Sequence, residues 1–233
     1  MATYKKRGYK NTNTANNSNS AEADSATAEV FEKLDSTASK TEEWVSKYQN
    51  FILVGIGTIA ISVLSYLAYQ KFVSEPKELE AVSELSQAQY YFDLAVNGQN
   101  SDSLFLRALN GGEGKYGFID IIENYSGTPA AKLATYSAGM AYLNLKDYKN
   151  AIDYLDDFNS DDILLSALSK GAIGDAFAQI DQQEEAYEYY VKAFESSDNL
   201  FSTPKYLYKA AMLGASLGKN SSALSYFKRI KSD

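Results

Sequence analysis

The most distinctive apolar run of the chain lies between Lys47 and Lys71. It holds 23 uncharged residues, YQNFILVGIGTIAISVLSYLAYQ. A helix of that length spans about 35 Å, which is enough to cross a hydrocarbon core about 30 Å thick. Tyrosines lie toward both of its ends, as interfacial aromatic residues do in membrane proteins. The pattern therefore predicts a transmembrane helix over residues 48–70.

One face of this predicted helix carries small and hydroxyl-bearing residues. They follow spacings of three, four, three and four, and are Gly55, Thr58, Ser62, Ser65 and Tyr69. In lipid, such a stripe lets a second helix approach closely and form hydrogen bonds across the contact. The same hydroxyls can instead bond the backbone of their own helix. A helix-packing stripe and a self-satisfied helix face are both compatible with the pattern.

The residues before the apolar run divide into two parts. Residues 28–47 place apolar side chains at helical spacing, which predicts a juxtamembrane amphipathic helix. Residues 1–27 begin with four basic groups, followed by NTNTANNSNS at 11–20, which has nothing apolar to bury. This composition predicts a disordered polar tail. Such a tail either contacts anionic lipid or RNA, or serves only solubility.

Helical signals continue through residues 75–233. Pro129 and Pro204 each follow a threonine and precede a helix-forming run, as the first helical residue follows its N-cap. Turn signals then predict helices over 77–96, 115–125, 129–145, 147–158, 162–179, 182–195, 204–217 and 219–231. Residues 97–114 hold four Gly and three Asn, and are predicted to interrupt this array.

A small residue recurs through the helical region at intervals of 34, 35 and 37, at Gly117, Ala151, Ala186 and Ala223. In the middle copies it follows Gly139 or Gly174 by twelve positions. These residues resemble the tetratricopeptide repeat, a helix–turn–helix unit of 34 residues. Together with the predicted span, the resemblance implies an all-α fold, with a single transmembrane helix followed by an α-solenoid of about four helix pairs. The alternative is an irregular helical bundle with chance spacing.

The order of the parts carries a narrower resemblance. A polar tail precedes one span ending in AYQKFVSEPKE at 68–78, and the repeat region contains YSGTPAA at 125–131. In these features residues 28–233 are similar to YfgM-type tetratricopeptide-repeat proteins, especially those of Bacteroidota. The resemblance implies an ancillary subunit of the SecYEG translocon. It also implies association with a PpiD-like periplasmic chaperone and with nascent exported chains.

The amino-acid composition excludes several kinds of catalytic and metal-binding site. The chain has no Cys and no His, which excludes thiol nucleophiles, disulfides, thiolate zinc sites and imidazole bases. The pairs Asp156–Asp157 and Asp161–Asp162 are sequence neighbours, which point about 100° apart on a helix and so do not face each other as glycosidase acids do. We therefore predict no enzyme activity, no cofactor and no metal. The net charge of -8, carried by residues 51–233, disfavours nucleic acid.

The first helices of successive repeats are expected to line a concave surface. The predicted partner-binding residues on it are Tyr136, Met140, Asp175, Gln179, Tyr208 and Met212. Met and Tyr adapt well to apolar peptide segments. The same side chains can instead pack between repeats. No pair of basic residues recurs there to clamp a peptide carboxylate.

Lysines near the span bear on its orientation. Three precede it within 20 residues and two follow it, which favours a cytoplasmic N-terminus. We expect a single-pass protein of a bacterial inner membrane with a periplasmic repeat domain. With the YfgM-type resemblance, this implies a non-catalytic subunit of the Sec machinery that tethers a chaperone near the channel exit. The alternative is a generic tetratricopeptide scaffold for another envelope or secretion complex.

Overall fold

The extended elements of secondary structure are all helices in the part of the chain that the computed structural model describes, residues 21–98, 101–196 and 198–232. An isolated bridge joins Gly112 to Lys115, and no strand forms in these ranges. The elements are α1 Ala21–Tyr69, a π-helix Gln70–Ser74, α2 Glu75–Asn97, α3 Ser101–Asn110, α4 Phe118–Asn124, α5 Pro129–Asn144, α6 Tyr148–Asp157, α7 Ile163–Gln179, α8 Gln183–Glu195, α9 Thr203–Ser216 and α10 Asn220–Ser232. The all-α prediction is confirmed.

The chain divides into two compact units, Met1–Tyr66 and Leu67–Asp233. In the first unit, the described residues belong to α1, and most of their apolar side chains are exposed. The helical stretch Thr41–Asn97 is long and apolar enough to cross a membrane, judged by length and composition, and none of its most apolar window is buried. The predicted tail lies outside the described residues as far as position 20.

Helices α5 to α10 in the second unit form three successive pairs, α5 with α6, α7 with α8 and α9 with α10. Thr128 caps α5, because its Oγ1 accepts a hydrogen bond from the Ala131 N–H at 3.1 Å. This confirms the predicted N-cap. At α9 the predicted cap is wrong by one residue, since the helix begins at Thr203 after Ser202. The Thr203 Oγ1 instead accepts a hydrogen bond from the Asn199 N–H at 2.9 Å.

The three turns inside these pairs share one geometry. Each has a residue with positive φ, which is Lys146 at 62°, Asp181 at 61° and Gly218 at 76°. The N–H of the following residue bonds the carbonyl five positions back, in the pairs Asp147–Tyr142, Gln182–Phe177 and Lys219–Gly214. This is the Schellman arrangement, which ends a helix with a left-handed residue. The backbone therefore repeats at the spacing that the sequence predicts.

Paired helices cross closely at the recurring small residues. A Cβ on Gly139 would lie 2.5 Å from the Leu155 Cγ, and one on Gly174 would lie 2.7 Å from the Tyr190 ring. Both distances are far below van der Waals contact, so a larger side chain would push the helices apart. The matching positions of the second helices are also buried, at Ala151, Ala186 and Ala223.

The predicted interruption at 97–114 is wrong in its centre, where α3 forms. Phe105, Ala108 and Leu109 are buried at helical spacing, and α3 packs against α2 and α5. Only the ends of the segment are irregular. The glycines that suggested a long loop lie outside the helix, at Gly98 and at 111–114.

Candidate partner-binding groove

Two adjacent cavities open beside the first helices of the last two pairs. One, of about 550 Å³, is lined by Leu143, Asn144, Lys146, Tyr148, Asp175, Ala178, Gln179, Tyr190 and Lys209. The other, of about 420 Å³, is lined by Ala178, Gln183, Tyr190, Tyr208, Lys209, Met212, Leu213 and Ser216. Because the two cavities share Ala178, Tyr190 and Lys209, they form one continuous depression, which we call the partner groove.

Asp175 on α7 contacts one groove residue on α8 and one on α9. Its carboxylate accepts a hydrogen bond from the Tyr190 hydroxyl of α8 at 2.7 Å and forms an ion pair with Lys209 of α9. The Lys209 ammonium also lies 5.3 Å from the centre of the Tyr190 ring, within cation–π range. These contacts hold three helices at fixed positions around the groove.

Burial and the contact with Asp175 favour the protonated form of Tyr190. Burial, and then the hydrogen bond to Asp175, raises the pKa of the Tyr190 hydroxyl above its ordinary value of 10.0. The hydroxyl therefore stays a donor to more alkaline pH than an exposed tyrosine does. Burial likewise raises the pKa of Tyr206, which stacks on Tyr190 with ring centres 6.5 Å apart. The groove thus has the neutral ring of Tyr190 beside the charged groups of Asp175, Lys209 and Lys146.

Tyr208 and Met212 supply the apolar surface of the groove. Both lie on α9, four residues apart and hence on one helix face. They are 54% and 52% exposed. The Tyr208 ring meets Phe227 of α10 edge-on, with centres 6.2 Å apart. An apolar partner segment would find a flexible thioether beside an aromatic ring.

Gln179 lies at the far end of the groove from Met212. Its side chain is exposed, and its Oε1 accepts a hydrogen bond from the Tyr148 hydroxyl at 3.4 Å. This long contact links α7 to α6 while leaving the amide nitrogen of Gln179 open to a ligand. The groove therefore carries polar groups at one end and apolar groups at the other.

Tyr136 and Met140 lie elsewhere. Both pack, half-buried, against a cluster that contains Leu155 and Ile173. The Tyr136 ring lies 5.3 Å from the Phe158 ring, and its burial raises the pKa of its hydroxyl. Of the six predicted residues, the structure brings Asp175, Gln179, Tyr208 and Met212 into one groove and leaves these two in packing between helices. A binding role for any of the six stays a prediction.

Tyr190 and Lys209 line the groove but are not among the residues predicted to bind a partner. That prediction used one offset on the first helices, whereas Tyr190 lies on the second helix α8 and Lys209 lies at another position of α9. A signal for Lys209 was present, because Asp175 is an acidic residue in the otherwise largely apolar helix Ile163–Gln179. A half-buried carboxylate in such a helix needs a cation nearby, and Lys209 lies 34 positions further on, one repeat away.

The predicted stripe on α1 is exposed along its length. Thr58 Oγ1 donates to the Val54 carbonyl at 2.8 Å, and Ser62 Oγ donates to the Thr58 carbonyl at 2.9 Å. A Cβ on Gly55 would meet nothing within 4 Å. Two of the hydroxyls are thus satisfied by their own helix. Packing of the stripe against another helix stays a prediction.

Comparison with known proteins agrees with this geometry over one pair of helices. Within the described ranges, no group of three or more acidic side chains could hold a metal ion. No curated protein matches the chain in sequence. The tetratricopeptide repeat family matches residues 134–157, within α5 and α6, and proteins with this repeat are typically non-catalytic. The chain thus contains a tetratricopeptide repeat, which indicates a scaffold for protein–protein interaction.

Proposed function

We propose that this protein is a membrane-anchored, non-catalytic scaffold that binds a partner protein in the partner groove. The observation that carries this proposal is the groove itself, where exposed Tyr208 and Met212 lie beside the fixed pair Asp175–Lys209. Apolar anchors contribute affinity, while a few polar groups fix the register of a bound segment. The apolar stretch within Thr41–Asn97 supports the anchor.

We further propose that the partners are a SecYEG-type translocon and a PpiD-like chaperone in a bacterial inner membrane. Here the N-terminus is cytoplasmic and the repeat domain periplasmic. The resemblance of residues 28–233 to YfgM-type proteins supports this assignment. Tethering a chaperone beside the channel exit raises its local concentration without tight binding. The competing proposal is a generic inner-membrane scaffold for another envelope complex.

Photo-crosslinking tests both levels of the proposal. A benzoylphenylalanine residue replaces Met212 in the full chain within native membranes. A matched variant carries it at Glu188, which is exposed on α8 outside the groove. We expect one partner to crosslink from position 212 and not from 188. Translocon or chaperone bands support the narrower proposal, and another envelope complex supports only the scaffold. Equal products from both positions would contradict the groove.

A further inference from the structure

The connection between α8 and α9 presents two adjacent large apolar side chains to solvent. Leu200 is 89% exposed and Phe201 is 72% exposed. We call this pair the loop tip. Its exposed apolar area is unfavourable in water, so contact with an apolar environment would stabilise it. The partner groove does not include either residue.

The loop tip is held in place by its neighbours. Asn199 Oδ1 accepts hydrogen bonds from the Phe201 N–H at 2.8 Å and the Ser202 N–H at 2.7 Å. Ser202 itself is fully buried, and the Asn199 N–H bonds Thr203 at 2.9 Å. The backbone is therefore fixed with both apolar side chains pointing outward. Little conformational entropy remains to be lost when the tip meets a surface.

The charge near the loop tip is predominantly basic. Residues 198–233 contain six basic and two acidic residues, whereas residues 147–197 contain 12 acidic and three basic residues. A cavity of about 320 Å³ is lined by Leu200, Pro204 and Ile230 among others, so the start of α9 and the end of α10 lie at the tip. These two helix ends carry the exposed Lys205, Lys228 and Lys231. Arg229 pairs with Asp198 at 3.0 Å.

We propose that the loop tip inserts into the interface of a bilayer that carries anionic headgroups. Leu and Phe bury their side chains at the boundary of headgroups and acyl chains, and nearby Lys side chains are attracted to an anionic surface. A protruding apolar tip with exposed lysines on the adjoining helix ends suits an anionic lipid surface, whereas a protein partner would need an acidic pocket of matching shape. The same chain supplies an apolar stretch that suits a bilayer. The contact rests on the proposed membrane anchor and not on the partner groove.

A single label on the full chain tests the inference. Because the chain has no Cys, Leu200→Cys creates one attachment site for a nitroxide spin label. The protein is reconstituted into phosphatidylcholine vesicles with or without phosphatidylglycerol. We expect the label to gain oxygen accessibility and lose nickel-chelate accessibility on the anionic vesicles. The matched control is Ile180→Cys, an exposed apolar position in the α7–α8 turn, whose label should stay aqueous.

Two further measurements decide the outcome. The double change Lys228→Glu and Lys231→Glu should return the Leu200→Cys label to the aqueous range on anionic vesicles. A label that stays aqueous while the chain floats with the vesicles overturns the inference and leaves the anchor intact. A chain that does not float contradicts the anchor itself. A label shielded in lipid-free detergent as strongly as on vesicles shows a protein contact instead, and also overturns the inference.

Discussion

At the residue scale, Gly171 lies where a larger side chain does not fit. A Cβ there would lie 2.0 Å from the ring of Tyr206, which is only 2% exposed and so has nowhere to move. We expect Gly171→Ala to lower the free energy of unfolding by on the order of 1–3 kcal/mol, the usual cost of overpacking. Alanine otherwise favours a helix by about 1 kcal/mol, so the expected sign is opposite to the intrinsic propensity.

Urea unfolding of the full chain in mild detergent, followed by circular dichroism, measures this change. The control is Lys132→Ala on the exposed face of α5, which should alter stability by less than about 0.5 kcal/mol. A gain in stability for Gly171→Ala would show that α7 and α9 lie further apart than the structure indicates.

The raised pKa of Tyr226 predicts that the stability of the fold depends on pH in the alkaline range. Burial, and then the contact with the Tyr187 hydroxyl 3.4 Å away, raises the pKa of Tyr226 to about 12 from its ordinary value of 10.0. Between these two values the unfolded chain releases a proton that the folded chain keeps, so stability falls as pH rises through this range. Thermal unfolding at steps from pH 9 to pH 12 should show the fall, with a shallower slope for Tyr226→Phe. Equal slopes would contradict the assignment.

Single residues of the groove were only partly predictable from sequence. Tyr208 and Met212 followed from repeat spacing, because that spacing fixes which face of a first helix is open. Tyr190 and Lys209 did not follow, because their positions depend on contacts with Asp175 between helices, a hydrogen bond from Tyr190 and an ion pair with Lys209. Repeat spacing predicts which residues share one face of one helix. It does not predict which residues of neighbouring helices come into contact, as Asp175 and Lys209 do.

At the element scale, the three repeated turns allow a matched pair of substitutions. Gly218 and Lys146 occupy equivalent positions with φ of 76° and 62°. Because a Cβ is unfavourable in this region, we expect Gly218→Ala to destabilise the protein by about 1 kcal/mol. Lys146→Gly should stabilise it by several tenths of a kcal/mol, on the order of the strain that is removed. Urea midpoints of the two variants measure both, and shifts of the same sign would contradict the shared turn geometry.

Helix α3 is an element that the sequence pattern does not predict. The interruption predicted at 97–114 rests on the total of glycine and asparagine in the segment, and these residues cluster at its two ends. Its centre carries Phe105, Ala108 and Leu109, three apolar residues at helical spacing that are buried against neighbouring helices. Composition averaged over the whole segment concealed a periodicity that extends over little more than one turn.

At the scale of the whole molecule, the helical class and the repeat were predictable because close helix crossings require small residues at a fixed interval. Buried Ala151, Ala186 and Ala223 mark these crossings. The boundaries predicted at 48–70 and 75–233 stay a prediction, while the second compact unit begins at Leu67. A hydrophobic pattern predicts which residues can lie in a membrane. It does not predict the residue at which packing against the rest of the protein begins.

The lysines near the predicted span predict the orientation of the protein in the membrane. Three lysines precede the predicted span and two follow it closely, at Lys33, Lys40, Lys47, Lys71 and Lys77. Since basic flanks stay in the cytoplasm, we expect a cytoplasmic N-terminus and an exported repeat domain. The chain has no Cys, so Ala2→Cys and Asp157→Cys each create one site for a membrane-impermeant maleimide.

In spheroplasts, the Asp157→Cys variant should react at once, because the end of α6 is exposed. The Ala2→Cys variant should react only after lysis, and the unmodified chain should not react in either case. The reverse labelling would put the repeat domain in the cytoplasm. That result would contradict the periplasmic chaperone as a partner, yet it would leave the groove scaffold standing, because the contacts of Asp175, Tyr190 and Lys209 do not depend on the side of the membrane.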